Sequence, residues 1–119
     1  MNIVIIEDEK LTAERLQNII EKLELDFSVI KVMDAVETCV KWFNEKHYYD
    51  LVFMDIQLSD GISFEIFEKT TITAPISFTT AFDEYAVKAF KVNSIDYILK
   101  PYDTDDIAKA IQKFKNNIS

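Results

Sequence analysis

At 119 residues, 49% of them hydrophobic, the chain has the size of one domain and enough apolar material for a core without disulfides or structural metals. A net charge of −8 gives it no basic footprint for nucleic acid, and its one cysteine, Cys39, excludes an intramolecular disulfide and a cysteine-based zinc site. Gly61 is the only glycine, so neither a G-x-G-x-x-G nor a Walker-type phosphate loop can be written into the chain. No apolar run approaches the ~18 residues of a membrane helix. No basic segment precedes the first apolar run, so no signal peptide is expected, and the cysteine count fits a reducing, cytoplasmic setting.

Short apolar runs alternate with helical patterns five times, without repeats or linkers. The first strand is predicted at about Asn2–Ile6. Leu16, Ile19, Ile20 and Leu23 then follow the spacing of one helix face. The second strand is predicted at about Phe27–Met33. Asp34 reads as the N-cap of the next helix with Glu37 three residues on, and Val36, Cys39, Val40 and Phe43 form its apolar stripe. The third strand is predicted at Leu51–Met54, followed by a loop with an Asp60-Gly61 turn signal and a short helix over Ile62–Lys69. Pro75 opens the fourth strand, which runs to about Phe78. A fourth helix is expected over Asp83–Val92 and a fifth strand over Ile95–Leu99. Asp103 can cap the last helix, whose Ile107, Ala110, Ile111 and Phe114 share a face.

Five such units imply an α/β fold, a doubly wound parallel sheet with right-handed crossovers and helices on both faces. Spacing does not fix the strand order. A flavodoxin-like order of 2-1-3-4-5 would put the switch point between the first and third strands. Ligands in such sheets bind outside the carboxyl ends of the strands. Those ends carry Glu7 and Asp8, then Asp55, then Thr79 and Thr80, then Lys100. Three acids, a hydroxyl and a lysine on one edge suit a divalent cation and a phosphoryl group.

The acidic pair Glu7-Asp8, the segment Phe53-Met54-Asp55, Thr80-Ala81 and Lys100-Pro101, in that order, resemble the receiver domain of two-component response regulators over essentially the whole chain. The stretches from Phe78 to Phe90 and from Asn93 to Pro101 resemble, more narrowly, the receivers attached to LytTR-type (LytR/AlgR) DNA-binding domains. One departure is the loop Gln57-Leu58-Ser59-Asp60-Gly61. It lacks the proline that many receivers place after the phosphorylated aspartate, which bears on loop shape.

The resemblance implies that Asp55 is the phosphoacceptor, taking a phosphoryl group from a phosphohistidine of a sensor histidine kinase or from a small donor. The plain alternative is an acidic residue starting the segment after a strand. Asp8 would ligate Mg²⁺ directly, Glu7 would act through a bound water, and the Gln57 backbone carbonyl would be the third protein ligand. Glu7, Asp8 and Glu9 would also suit the first turn of a helix. Lys100 would meet the phosphate as a point charge, or pair with the acids at rest. A cis Lys100–Pro101 bond is implied as well.

Thr79 and Thr80 compete on chemistry alone. Thr80 is the switch hydroxyl by resemblance, together with opposite facing of adjacent strand residues. Tyr97 matches the switch aromatic, with permanent packing as its alternative. Gln57 and Phe82 occupy positions that tune phosphate hydrolysis in the family. His47 reads as surface, and Cys39, Trp42 and Phe43 as core or half-buried.

The expected protein is a single receiver domain over residues 1–119, the N-terminal part of a longer regulator, and not an enzyme beyond its own aspartyl phosphorylation and dephosphorylation. Its output face would be the fourth helix, fifth strand and fifth helix, with Lys88, Lys91, Asp96 and Tyr97, open to homodimerisation. DNA would be reached only through a LytTR domain following Ser119. A stand-alone receiver acting through protein contacts is the alternative. A small Mg²⁺-dependent phosphohydrolase lacks its Asp-x-Asp pair, because Gln57 stands two residues after Asp55. A flavin module lacks a glycine- and hydroxyl-rich loop after the first strand.

Overall fold

The apolar runs are the strands of one parallel sheet. In a computed structural model, which describes residues 1–81 and 94–117, strands β1 (Asn2–Ile6), β2 (Ser28–Met33) and β3 (Leu51–Asp55) come first. A two-residue ladder follows, β4 (Gln57–Leu58) with β5 (Gly61–Ile62), and then β6 (Ile76–Thr80) and β7 (Ser94–Leu99). The main sheet has the order β2-β1-β3-β6-β7, all parallel. This is the predicted 2-1-3-4-5 order, renumbered by the small ladder. Strands β3 and β6 are buried along their whole length, because helices cover both faces of a central strand. The edge strand β2 alternates exposed and half-buried residues instead.

Helices α1 (Lys10–Leu23) and α4 (Thr104–Asn117) cover one face. There Leu16, Ile20, Ile111 and Phe114 pack on Ile5 and Phe53. Helices α2 (Val36–Asn44) and α3 (Ile66–Lys69), the latter preceded by a 3₁₀ turn at Ser63–Glu65, cover the other. There Cys39, Phe43 and Ile66 pack on Val4, Ile6 and Met54. The predicted apolar stripes are thus core, with Ile19 and Val40 half-buried against it and Leu23, at the end of α1, 37% exposed. The predicted helix at Asp83–Val92, with Phe82, Lys88 and Lys91, lies outside the described residues.

One predicted cap is corrected. Asp34 makes no capping bond to α2, whose cap position is Ala35. Asp60 does the work from 24 residues away: Val36 N donates to its Oδ1 at 2.6 Å, and Glu37 N donates to its Oδ2 at 3.1 Å. Ser59 Oγ donates to Asp34 O at 3.1 Å, pinning the same loop to the same helix end. Gly61 makes the turn possible, with a φ of 156° that L side chains rarely adopt. Asp103 behaves as predicted. It accepts from Asp106 N, and Asp106 accepts from Asp103 N, both at 3.0 Å, a reciprocal cap on α4.

The two backbone bonds hold the Asp60 carboxyl below the usual range. Its stabilising effect is present above the ordinary value of 3.8 and lost as pH falls through the lower folded one. Asp60→Ala should cost about 1 kcal/mol near neutral pH, as loss of an N-cap does, and Asp60→Asn less. Urea unfolding of the two variants beside wild type checks the order.

Candidate functional site

Each polar residue at the sheet edge is placed by the strand before it. Glu7 continues β1 by one backbone bond, its N donating to Met33 O at 2.9 Å. Asp55 is the last residue of β3. Because β1 and β3 are neighbours at the switch point, these two acids converge. Lys100 continues β7, its N donating to Thr80 O at 2.7 Å. The Lys100–Pro101 peptide is cis, as the resemblance implies.

Lys100 lies between the two acids. Its Nζ donates to Glu7 Oε1 at 2.6 Å and to Asp55 Oδ2 at 3.0 Å. Both carboxylates are buried, with side chains only 2% and 8% exposed, and the lysine side chain is 17% exposed. The second Glu7 oxygen accepts from Glu9 N at 3.1 Å. Asp8 stands exposed at the mouth, and carboxylate oxygens of Glu7, Asp8 and Asp55 lie within 4.8 Å of one another.

Burial dominates the electrostatics. It pushes Glu7 up to about 7, against the pull of the Lys100 bond. It raises the Asp55 carboxyl too, again against Lys100. Burial alone would lower the Lys100 ammonium, but the bonds and charges of Glu7 and Asp55 outweigh it and the net shift is upward. With all groups ionised, three carboxylates face one ammonium. The excess of two negative charges, one wall open to solvent, and all-oxygen donors fit a hard divalent cation that keeps several waters.

The remaining predicted residues stand around this cluster. Gln57 is exposed in β4, two residues past Asp55. Thr79 and Thr80 are both buried. The register sets Thr79 beside Asp55, and Thr80 beside Leu99, one residue nearer the strand end. Alternation then gives Thr80 the face of Phe78, the register partner of Tyr97. Tyr97 is half-buried against the core on that face. Asp96 accepts from Lys113 Nζ at 3.0 Å and from its neighbour Tyr97 N at 2.9 Å, tying β7 to α4. His47 is a surface residue, yet its ring stacks on Trp42 at 3.9 Å. The capping role of Asp60, and Arg15, which donates to Tyr102 O at 3.1 Å, were not read from the sequence, because both act across long sequence separations.

Comparison with known proteins gives the same answer. The family profile described as "Response regulator receiver domain" matches residues 3–112. The chain is 36% identical over 118 residues to the sensory transduction protein LytT of Bacillus anthracis, covering 97% of this chain and 47% of that protein. It is 38% identical to LytT of Enterococcus faecalis, covering 95% of this chain and again 47% of the relative. The chain therefore spans about half the length of these relatives. Among solved structures, the response regulatory domain of mrkE from Klebsiella pneumoniae superposes with a TM-score of 0.84 at 30% identity, covering 98% of this chain and 97% of that one. With the sheet order, the acidic edge and the lysine already in place, the chain belongs to the receiver domains of two-component response regulators.

Proposed function

We propose that Asp55 is the phosphoacceptor of this receiver and that the domain works with Mg²⁺. The observation that carries the reading is Lys100 lying between Asp55 and Glu7, with Asp8 completing an acidic cluster. An Asp55 oxygen forms the new bond to phosphorus while the donor's bond to phosphorus breaks. A carboxylate is a weak nucleophile, so positioning and charge neutralisation do most of the work. Lys100 holds Asp55 in place before transfer and meets the incoming phosphoryl oxygens during it. Glu7, Asp8, Asp55 and the Gln57 carbonyl would hold the ion, which supplies further neutralisation when bound.

Thr80 is the proposed switch hydroxyl and Tyr97 its aromatic partner. They share a face of the sheet, and the Thr80 carbonyl is already bonded to Lys100 N. This chain spans about half of the LytT relatives, which supports a longer regulator; in this reading the chain is its N-terminal receiver, a LytTR DNA-binding domain is its output, and a sensor histidine kinase in the cytoplasm controls it. Among the described residues no helix is long and apolar enough to cross a membrane. The face built from β7 and α4 is the proposed output or dimer surface.

Incubation with acetyl phosphate and Mg²⁺ should give a single phosphoryl adduct by intact mass. Steady turnover of a generic phosphate ester without an adduct would favour a phosphohydrolase instead.

Metal binding should depend on pH in a defined sense. Burial favours protonated Glu7, so its contribution to metal-free stability is full below the ordinary 4.5 and declines as pH rises through about 7. Mg²⁺ needs the ionised form. Its apparent affinity should rise by up to about tenfold per pH unit below 7 and level off above, since ligand deprotonation is linked to binding. The increase in melting temperature with Mg²⁺ should therefore be larger at pH 8 than at pH 6.

A further inference from the structure

We propose that Arg15 is a positioning residue for phosphoryl transfer: from α1 it clamps the turn that carries Lys100. The inference rests on the phosphoacceptor reading above. Lys100 must reach two buried carboxylates at once, so the turn beyond β7 has to be held on both sides. One side is held by the sheet, through Lys100 N and Thr80 O at 2.7 Å. The other side is Tyr102, two residues on.

Tyr102 is buried, and among the described residues its hydroxyl has no hydrogen-bond partner, so the polar end of the phenol is not what ties the turn to α1. The anchor is the backbone and the ring. Arg15 Nη2 donates to Tyr102 O at 3.1 Å, and the guanidinium carbon lies 5.4 Å from the centre of the Tyr102 ring. A planar guanidinium can donate in its plane and lie against an aromatic ring at once, which an ammonium does less well.

The clamp also joins the two halves of the site. Helix α1 starts at Lys10, two residues past Asp8, so Arg15 ties the element next to these acids to the turn bearing the cation. Displacing a group at a reacting centre by 1 Å can cost ~10²-fold in rate. Because the Thr80 bond remains, the expected loss is smaller, about fivefold.

The test measures the phosphorylation rate with acetyl phosphate at saturating Mg²⁺ for wild type, Arg15→Ala and Arg15→Lys, together with Mg²⁺ affinity and melting temperature. The inference expects Arg15→Ala to be about fivefold slower at unchanged Mg²⁺ affinity, with part of the rate restored in Arg15→Lys. An Arg15→Ala rate within twofold of wild type would overturn it. So would a parallel fall of rate, Mg²⁺ affinity and melting temperature, which marks a residue that only supports the fold. An unphosphorylated wild type would instead overturn the phosphoacceptor reading itself.

Discussion

Asp55→Asn should take no phosphoryl group under any donor concentration, while the domain stays folded. The amide keeps the shape of the side chain but has no anionic oxygen to attack phosphorus. Thr79 and Thr80 are buried at the same edge, but each is a neutral hydroxyl, a far weaker nucleophile than a carboxylate at neutral pH, so neither should substitute for it. Folding should not suffer, for an electrostatic reason. Burial raises the Asp55 carboxyl, so above its ordinary value of 3.8 the ionised form costs the folded state free energy. Asparagine has no such cost, and Lys100 keeps Glu7 as a partner. Without Mg²⁺, the melting temperature of the variant relative to wild type should rise as pH climbs above 3.8, and be higher at pH 8 than at pH 4. A variant that unfolds more easily at pH 8 would show that the Asp55–Lys100 pair stabilises more than burial costs.

Lys100→Met should have two separable effects. Loss of one preorganised donor that stabilises charge developing at a reacting centre costs about 10²–10³ in rate, and a loss of that order is expected here. The second effect is on stability. Two buried carboxylates, Glu7 and Asp55, would face each other without their shared cation. Breaking a buried pair in this way costs about 3–5 kcal/mol, less where the carboxylates can take up protons. The lysine's raised pKa means that its contribution is complete below the ordinary 10.5 and is lost only as pH climbs through the higher folded value, so it is intact at pH 8. The destabilisation should accordingly be larger at pH 8 than at pH 5, and Mg²⁺ should recover part of it. Urea unfolding at both pH values, with and without Mg²⁺, reads all of these. Equal loss at the two pH values would mean that packing of the lysine stem, not charge, was removed.

What the sequence made legible follows from how local each determinant is. Ile3–Ile6 and Leu51–Met54 read as buried strands because a central parallel strand is apolar on both faces. The stripe of Ile107, Ala110, Ile111 and Phe114 read as a buried helix face because 3.6-residue spacing records it. The site was legible for the same reason: its charged residues each follow a strand, and strand ends converge by topology. The α2 cap was assigned to Asp34 because Asp34 and Glu37 offered a complete local signature, while the bond Asp60 makes crosses 24 residues. The two-residue ladder β4–β5 was not readable, since a loop without its usual proline leaves no periodic trace. Pattern alone left Thr79 and Thr80 open. The register separates them, with Thr79 level with Asp55 and Thr80 on the face of Phe78, whose partner is Tyr97.

The most direct test of the central claim is chemical trapping of the acyl phosphate. After acetyl phosphate and Mg²⁺, borohydride reduces an aspartyl phosphate to homoserine, and peptide mass mapping locates that residue. Homoserine at position 55 alone is the predicted result. Homoserine at Glu7's neighbour Asp8, or a phosphoryl group on Thr79 or Thr80 with residue 55 still aspartate, would contradict it.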